Sequence, residues 1–370
     1  MTAEKGEPQM KKGLVLSTIP APYRVNVFSE MSRHLKLDIY FEKKQDESYN
    51  KDFFCEKSFF RILTEKTGHA AYKESVRNLK QYAYVLVYEY STITAMKLMQ
   101  LWIRNRIPYF INCDGAFINH NLLKYMVKHY FISNATGCLA NGTHAKEYFL
   151  HYGAREENIF QHHFSTLYEK DILQTCVTPE EKAALKEKLG LENRKTVIAV
   201  GRFIHSKGFD VLLKAWEKMP KAVNLIILGG GEKEDEYRQF IEMHHLANVT
   251  LLGFKPCKEV LRYFKACDLF VLPTRKDVWG LVINEAMACG LPVITTDRCI
   301  AGMELITNGE NGYIVPVEDV DALTEKMKYI LENDTLAAAM GRASLERIRP
   351  YTIENIAKSH IFALQQKLGE

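Results

Sequence analysis

The sequence predicts an α/β protein with two domains in series, each built on a parallel sheet that helices cover on both faces. The chain has 370 residues, enough for two domains of common size. Short runs that are apolar at every position alternate with longer amphipathic stretches, a pattern typical of buried parallel strands and their covering helices. The alternation occurs twice, separated by a polar stretch at 165–194. It therefore predicts two Rossmann-like domains.

Each predicted strand is an uninterrupted apolar run, and each predicted helix is the amphipathic segment that follows one. In the first block the strands are 13–19, 37–41, 84–90, 108–113 and 136–140, and the helices are 24–35, 69–81, 92–105, 119–131 and 142–152. In the second block the strands are 195–201, 224–230, 249–253, 268–273, 291–296 and 312–316, and the helices are 208–218, 233–246, 257–265, 281–289 and 319–331. A helical tail at 335–368 is interrupted at Arg349-Pro350. These elements predict domains at 1–176 and 177–350, followed by a last helix at 351–370.

Composition and charge indicate an ordinary globular protein. Residues 1–176 carry 23 basic and 18 acidic side chains (+5), the remainder carries 26 and 27 (−1), and the net +4 is too small to indicate a nucleic-acid partner. The eight cysteines stand singly with no C-x-x-C pair, which favours reduced thiols over a disulfide frame or a zinc site. With neither an apolar leader nor an 18-residue apolar run, we expect a cytoplasmic protein. Its basic first half permits peripheral contact with the inner face of a membrane.

The strongest candidate site is PTRKDVWGLVINEAMACGLPVITT at 273–296. It leaves a predicted strand, crosses an acidic loop and enters a helix at Gly280-Leu281, where free N–H groups favour a phosphate. Asp277 precedes this helix and Glu285 lies one turn inside it, where a carboxylate could accept bonds from paired sugar hydroxyls. A strand–turn–helix with ordinary surface acids is an equally good interpretation.

Three other strand ends carry weaker signals. In VGRFIHSKGFDVLLKAW (200–216), Arg202 and Lys207 could meet a diphosphate, although taken alone each favours a solvated surface charge over a ligand. The run LGGGEKED (228–235) lacks the G-x-G-x-x-G spacing and indicates a tight turn. The segment LLGFKPCKEV (251–260) could present backbone groups to a nucleobase.

These segments together resemble the family 4 retaining glycosyltransferases, which have the GT-B fold of two Rossmann-like domains facing across a cleft. The resemblance is continuous over about 195–330, and Asp277 to Glu285 has the spacing of the family's E-x7-E motif with Asp in the first place. It implies that Arg202 and Lys207 hold the donor diphosphate, that Glu285 holds the ribose, and that Asp277 touches the donor sugar. The other implied donor-site residues are Gly201, Phe254, Lys255, Val278, Trp279, Gly280 and Leu281.

The first half resembles the family less closely. Its opening, TIPAPYRVNVF (18–28), is similar to the start of bacterial members that build surface polysaccharides. Many relatives place a histidine after a middle strand, where this chain has Asp114, with His120 six residues later. The resemblance makes these two residues acceptor-side catalytic candidates, although Asp114-Gly115 could simply form a turn. It also implies that the last helix returns to the first domain.

The expected function is metal-independent, retaining transfer of a sugar from a nucleotide-sugar, such as a UDP-hexose or UDP-N-acetylhexosamine, to a glycan or lipid-linked acceptor. No cofactor is expected, because no D-x-D motif stands at a strand end and cationic groups can meet the diphosphate charge. The alternatives are a sugar-phosphate epimerase or phosphorylase on the same fold, and an inactive partner subunit.

The predicted helix over 119–132 permits two interpretations. Leu122, Leu123, Met126, Val127 and Tyr130 share one face, and His120, Lys124 and Lys128 form a basic row on another. The favoured interpretation is that the apolar face covers a sheet while the lysines face water. The alternative is a helix that rests on an anionic membrane or binds a lipid diphosphate.

Overall fold

A computed structural model of the chain describes residues 12–45, 59–114 and 117–369. The chain divides into a first unit of Met1–Phe164 with Ile353–Glu370 and a second unit of Ser165–Thr352. The boundary therefore precedes the position predicted from the sequence, 176–177. The backbone explains the difference, because Leu173 N–H donates to the carbonyl of Ala288 inside the second unit.

Strands and helices alternate through both units. The strands are β1 (Lys12–Ser17), β2 (Lys36–Phe41), β3 (Phe60–Ile62), β4 (Tyr84–Val87), β5 (Tyr109–Cys113), β6 (Gly137–Asn141), β7 (Ile159–His162), β8 (Thr196–Arg202), β9 (Asn224–Gly230), β10 (Val249–Leu252), β11 (Leu269–Leu272), β12 (Val293–Thr296) and β13 (Gly312–Val315). The helices are α1 (Pro22–Met31), α2 (Lys66–Arg77), α3 (Ile93–Asn105), α4 (Leu122–Ser133), α5 (Gly142–His151), α6 (Pro179–Lys188), α7 (Phe209–Trp216), α8 (Glu234–Met243), α9 (Cys257–Ala266), α10 (Leu281–Ala288), α11 (Ile300–Leu305), α12 (Val320–Leu331), α13 (Asp334–Ile348) and α14 (Ile353–Leu368).

The first unit contains a parallel sheet with the strand order β3-β2-β1-β4-β5-β6-β7 among the described residues. One face carries a core that includes Trp102, Tyr109 and Tyr148, all nearly inaccessible to solvent. Helix α14 packs against β7 and α1, so the end of the chain belongs to this unit.

The second unit contains a parallel sheet with the order β10-β9-β8-β11-β12-β13 in the same described part of the chain. Chain order reverses between the neighbouring strands β8 and β11. In open parallel sheets, ligands bind beyond the carboxyl ends of strands at this kind of reversal. The residues that follow β8 and β11 are therefore the first place to look for a site.

The two Rossmann-like parallel-sheet domains confirm the predicted α/β fold class. Three elements were not predicted: β3 is only three residues long, β7 mixes apolar and polar residues, and α11 forms a single short helix. Among the described residues, no helix is long and apolar enough to cross a bilayer.

Candidate functional site

The loops that follow β8 and β11 are hydrogen-bonded to each other. The hydroxyl of Thr274 donates to the carbonyl of Ser206 at 2.7 Å, and the N–H of Arg275 donates to the same carbonyl at 2.8 Å. These bonds bring together two sequence segments that are about seventy residues apart. Each segment contains a predicted donor-binding residue.

Gly208 makes this close approach sterically permissible. Its φ is +70°, and an added Cβ would lie 2.0 Å from the carbonyl oxygen of Pro273. Any side chain at this position would therefore push the two loops apart. Gly208 also precedes the first residue of α7, so Lys207 is held at the point where loop becomes helix.

Lys207 and Asp277 form an ion pair at this junction. Their side chains are 17% and 13% exposed, so both charges are largely removed from water. Asp277 is held by its backbone, because its N–H donates to the carbonyl of Arg298 at 2.9 Å and its carbonyl accepts from Ile300 at 3.3 Å. The structure therefore brings together the predicted diphosphate ligand and the predicted sugar ligand.

Helix α10 begins beside the same carboxylate. Gly280, with φ of +96°, precedes its first residue, and a Cβ on Gly280 would lie 3.6 Å from Asp277 Oδ2 and 2.8 Å from Cys299 Sγ. The first N–H groups of a helix, here beginning with Leu281, have no acceptor within the helix. The backbone N–H groups at the start of α10 and the Lys207 ammonium thus both lie near the Asp277 carboxylate. Hydrogen-bond donors and a positive charge grouped in this way suit an anionic ligand.

The two residues between Asp277 and Gly280 differ in exposure. Trp279 is 2% exposed and its indole N–H donates to Asn284 Oδ1 at 3.0 Å, whereas Val278 is 50% exposed. The indole of Trp279 thus packs in the interior, and the assignment of Trp279 to the donor site stays a prediction. Val278 remains accessible at the surface.

Glu285 lies one turn inside α10 in a largely apolar setting. Its Oε1 accepts a hydrogen bond from the Thr166 hydroxyl at 3.1 Å, and the Cys257 thiol lies 4.0 Å from the same oxygen. Burial raises the pKa of Glu285 to about 7, and the bond from Thr166 offsets only part of this effect. This carboxyl group therefore changes charge near neutral pH.

The remaining predicted donor residues lie at neighbouring strand ends. Gly201 and Arg202 end β8, and an added Cβ on Gly229 would lie 1.9 Å from the Gly201 carbonyl oxygen. Phe254, 46% exposed, and Lys255, whose Nζ lies 3.5 Å from Glu259 Oε2, occupy the loop between β10 and α9.

Arg275 is a residue that the sequence did not single out. Its guanidinium donates to both carboxylate oxygens of Asp210, at 2.8 and 2.7 Å, and to Glu318 at 2.6 Å. Burial would raise the pKa of Asp210, but the bonds from Arg275 lower it overall. This cluster anchors the loop after β11 to α7, and local sequence could not reveal it because both partners are distant in the chain.

In the first unit, Asp114 forms an ion pair with Arg24 of α1. Its other carboxylate oxygen accepts from the side chain of Asn112 at 2.6 Å. Burial raises the pKa of Asp114 although the charge of Arg24 opposes this. The Arg24 guanidinium, 7% exposed, also lies 4.7 Å from the centre of the Tyr88 ring. The predicted acceptor-side residue is thus partnered by the arginine of TIPAPYR.

Two buried histidines extend this polar cluster. His162 Nε2 lies 3.0 Å from Asn112 Oδ1, and His360 Nδ1 lies 2.8 Å from the Tyr88 hydroxyl. Because the Asn112 amide nitrogen already donates to Asp114, its oxygen accepts from His162, which places the proton of His162 on Nε2. Burial lowers the pKa of both rings, to about 3 for His360, so both are neutral at pH 7.

His120 lies on the surface before α4. It is exposed and stands immediately before Asn121, the residue that caps α4. The structure joins Asp114 to Arg24, Asn112 and the Asn141 side chain, which donates to the Asp114 carbonyl at 2.8 Å. The pairing of Asp114 with His120 stays a prediction.

In residues 12–45, 59–114 and 117–369, no group of three or more His, Cys, Asp and Glu side chains is arranged to hold a metal ion. A surface cavity of about 760 Å³ lies at the amino ends of β8 and β9, where Thr196 and Asn224 line it. It contains none of the predicted site residues.

Comparison with known proteins concerns mainly the second unit. Residues 181–347 match the family Glycosyl transferases group 1. An uncharacterized glycosyltransferase of Haemophilus influenzae is 26% identical over 77% of this chain and 83% of its own length. A GDP-mannose-dependent monoacylated alpha-(1-6)-phosphatidylinositol monomannoside mannosyltransferase of Corynebacterium glutamicum is 34% identical over 46% of each chain, so less than half of that relative is matched.

The fold also resembles solved structures along nearly the whole chain. The Anabaena protein HepE, in complex with UDP, superposes with a TM-score of 0.78 at 19% identity, over 96% of this chain and 100% of that chain. This likeness supports a GT-B architecture for the two units.

Proposed function

Because residues 181–347 match the glycosyl transferases group 1 family, we propose that this protein transfers a sugar from a nucleoside-diphosphate sugar to an acceptor. The observation that carries the proposal is the Lys207–Asp277 ion pair beside the first turn of α10, at the carboxyl edge of the second sheet. The comparisons favour neither an epimerase or phosphorylase nor an inactive subunit.

We assign the donor to the second unit. Lys207, Arg202 and the N–H groups at Gly280-Leu281 supply positive charge for a diphosphate. When the donor is absent, Asp277 satisfies Lys207, and on binding the ammonium can turn toward the phosphate. Negative charge builds up on the diphosphate as it departs, and these positive groups would stabilise that charge. We therefore propose that no metal ion is required.

Glu285 suits the ribose hydroxyls. It is only partly exposed, and its raised pKa indicates that the bond from Thr166 does not fully compensate the charge. Two hydroxyl donors would supply that compensation. Phe254 and Lys255, which are accessible in the loop after β10, suit the base.

We propose UDP as the nucleotide and a hexose or N-acetylhexosamine as the sugar. The likeness to HepE, solved with UDP, supports the base, whereas the mannosyltransferase relative uses GDP-mannose and defines the alternative to be tested. That relative acts on a phosphatidylinositol derivative, which supports our proposal of a glycan or lipid-linked acceptor. We assign the acceptor to the first unit, with Asp114 and His120 as candidate catalytic residues.

We further propose that transfer retains the anomeric configuration, with the leaving phosphate accepting the acceptor's proton. The ion pair of Asp277 supports this, because a carboxylate already paired with the Lys207 ammonium is a poor nucleophile. The cytoplasm is the proposed location, since the described cysteines are all free thiols.

Product analysis tests the proposal. The purified chain is incubated with UDP-hexoses, UDP-N-acetylhexosamines and GDP-mannose, together with glycan and lipid-linked acceptors. We expect release of nucleoside diphosphate and an acceptor heavier by one sugar, and proton NMR of that product reports its anomeric configuration. A change of the sugar-nucleotide without a heavier acceptor would indicate an epimerase instead. Turnover by Lys207→Ala equal to that of the unaltered chain would contradict the assigned site.

A further inference from the structure

Helix α4 presents an apolar face to solvent. The exposed fractions are 71% for Leu122, 74% for Leu123, 59% for Met126, 46% for Val127 and 41% for Tyr130. The buried residues of α4 are Phe131 and Ile132, near its end. The interpretation that this face covers a sheet is therefore wrong, and its five residues are called the α4 apolar face below.

These side chains form one continuous surface. Leu122, Met126 and Tyr130 are spaced by four residues, as are Leu123 and Val127, so the two rows lie side by side along the helix. Exposed apolar side chains that occur singly are normal, whereas a contiguous group of large ones marks a binding surface.

Helix α4 carries two lysines and no carboxylate, and the sequence between Glu89 and Glu147 is mainly basic. From residue 90 to residue 146 the sequence contains six Lys and Arg but a single carboxylate, Asp114, which forms an ion pair with Arg24. Lys124 and His129 are exposed on the borders of the face, and Lys97 is exposed on α3, which packs against α4. The second lysine of α4, Lys128, lies over the rings of Tyr148 and Tyr152, at 5.0 and 4.9 Å.

We propose that α4 binds the surface of an anionic membrane, with its apolar face inserted at the boundary between headgroups and acyl chains. An apolar face bordered by an exposed lysine, on a helix that carries no carboxylate, has the chemistry of helices that lie in this interface. Pairing with a second copy is disfavoured, since it would bring Lys124 of one chain close to the cations of the other. The inference rests on the surface of the first unit and not on the proposed transfer reaction.

Vesicle sedimentation of the full chain tests the inference. The vesicles contain phosphatidylcholine alone or phosphatidylcholine mixed with phosphatidylglycerol. We expect binding to the mixed vesicles that weakens as salt rises, and at least about a tenfold loss of binding in the double variant Leu123→Asp/Met126→Asp. Lys124→Glu should lower binding by about fivefold or more. Circular dichroism checks that each variant is folded.

Matched controls use the second unit. Met243, 72% exposed on α8, and Lys188, exposed at the end of α6, are changed to Asp and Glu. Both control variants should bind mixed vesicles like the unaltered chain. The Leu123→Asp/Met126→Asp variant should still hydrolyse the nucleotide-sugar donor at the unaltered rate, which separates membrane binding from catalysis.

Three results would overturn the inference. The first is unchanged binding by the Leu123→Asp/Met126→Asp variant. The second is equal, salt-insensitive binding to both kinds of vesicle. The third is a dimer, detected by light scattering, that the same variant dissociates while the unaltered chain binds no vesicles. The third result would assign the α4 apolar face to a second copy of the chain.

Discussion

Replacing Glu285 with Gln tests the proposed ribose contact at the residue with the most distinctive environment in the second unit. The carboxyl is largely buried, accepts a hydrogen bond from Thr166 at 3.1 Å and has its pKa raised to about 7. Glutamine has nearly the same shape and keeps an oxygen that can accept the Thr166 bond. The substitution therefore removes the charge and little else.

The loss of donor affinity follows from the strength of charged hydrogen bonds. A bond to a carboxylate contributes about 1.5–3 kcal/mol and a neutral one about 1 kcal/mol, so the variant should lose about 1–2 kcal/mol, or about 5- to 30-fold in affinity. The ribose does not change charge during transfer. The contact is then equally strong in the ground and transition states, and the Michaelis constant should rise while turnover changes little.

The pH dependence gives a second signature. With a pKa of about 7, Glu285 is ionised in about a tenth of molecules at pH 6 and in about nine-tenths at pH 8. Ribose hydroxyls donate best to the ionised form. Donor affinity should therefore rise by up to about tenfold from pH 6 to pH 8, and the Gln variant should not show this rise.

As the pH rises, the stability of the folded protein should fall, whereas donor affinity should rise. The folded pKa lies above the unfolded value of 4.5, so the folded protein binds this proton more tightly. The resulting stabilisation is fully present below pH 4.5 and is lost as the pH rises through 7. At pH 8 the Gln variant should be more stable than the unaltered chain, by about 1–3 kcal/mol.

Isothermal titration with nucleotide-sugar at pH 6, 7 and 8 measures the affinity, and thermal unfolding at the same pH values measures the stability. Glu332→Gln, which changes an exposed carboxyl at the end of α12, is the matched control and should leave both unaffected. Unchanged donor affinity in Glu285→Gln, with the rise between pH 6 and pH 8 intact, would refute the placement of the ribose.

Four further predictions concern the two units. Lys207→Ala or Arg202→Ala should cost about 2–4 kcal/mol of transition-state stabilisation, measured as kcat/KM. Lys207→Ala should also lower the unfolding free energy by about 1–2 kcal/mol, because Asp277 stays 13% exposed without its cation. Asp277→Asn should lower turnover more than donor affinity. Asp277→Glu should lower turnover because the longer side chain crowds the sugar. Activity of Asp277→Glu well above that of the unaltered chain would indicate a degraded site. Activity should survive excess chelator, and abolition with rescue by magnesium or manganese would show that a metal takes part. Below pH 6.5 the unfolded protein binds a proton on His360 that the folded protein, with a pKa near 3, does not bind, so the free energy of unfolding falls as the pH falls. His360→Gln should reduce this fall by up to about 1.4 kcal/mol per pH unit. Parallel curves of stability against pH for the two proteins would contradict this.

The fold was predictable where burial leaves a clear mark on the sequence. Strands such as β8 and β9 have both faces covered, so their apolar runs distinguish them from the flanking helices. Strand β7 does not show this mark, because Gln161 and His162 interrupt the run and the hydrogen-bonding partner of His162 is Asn112, fifty residues earlier. The domain boundary was misplaced for a related reason, since backbone bonds such as that from Leu173 to Ala288 leave no pattern in side chains.

The segments that form the candidate site were predictable from the sequence, but the contacts between them were not. Strand order brings the ends of β8 and β11 together, and this order follows from the parallel topology. That Lys207 and Asp277 pair with each other depends on the Gly208–Pro273 contact, which only the backbone geometry reveals. The burial of the Trp279 indole was likewise not visible in the sequence, because it depends on packing and on a bond to Asn284 in the following helix.

The first unit shows why a residue's chemistry depends on partners that are distant in sequence. An Asp-Gly pair after a strand indicates a turn, and the sequence around Asp114 does not show which cation pairs with it. The cation comes from Arg24, ninety residues earlier, whose guanidinium is held beneath Tyr88 and beside Asp114. Burial raises the pKa of Asp114 and Arg24 lowers it, so the balance between these two effects determines whether this carboxylate can accept a proton. The arginine of TIPAPYR is thus a determinant of acceptor-side chemistry in the proposed function, through Asp114 and not through contact with a substrate.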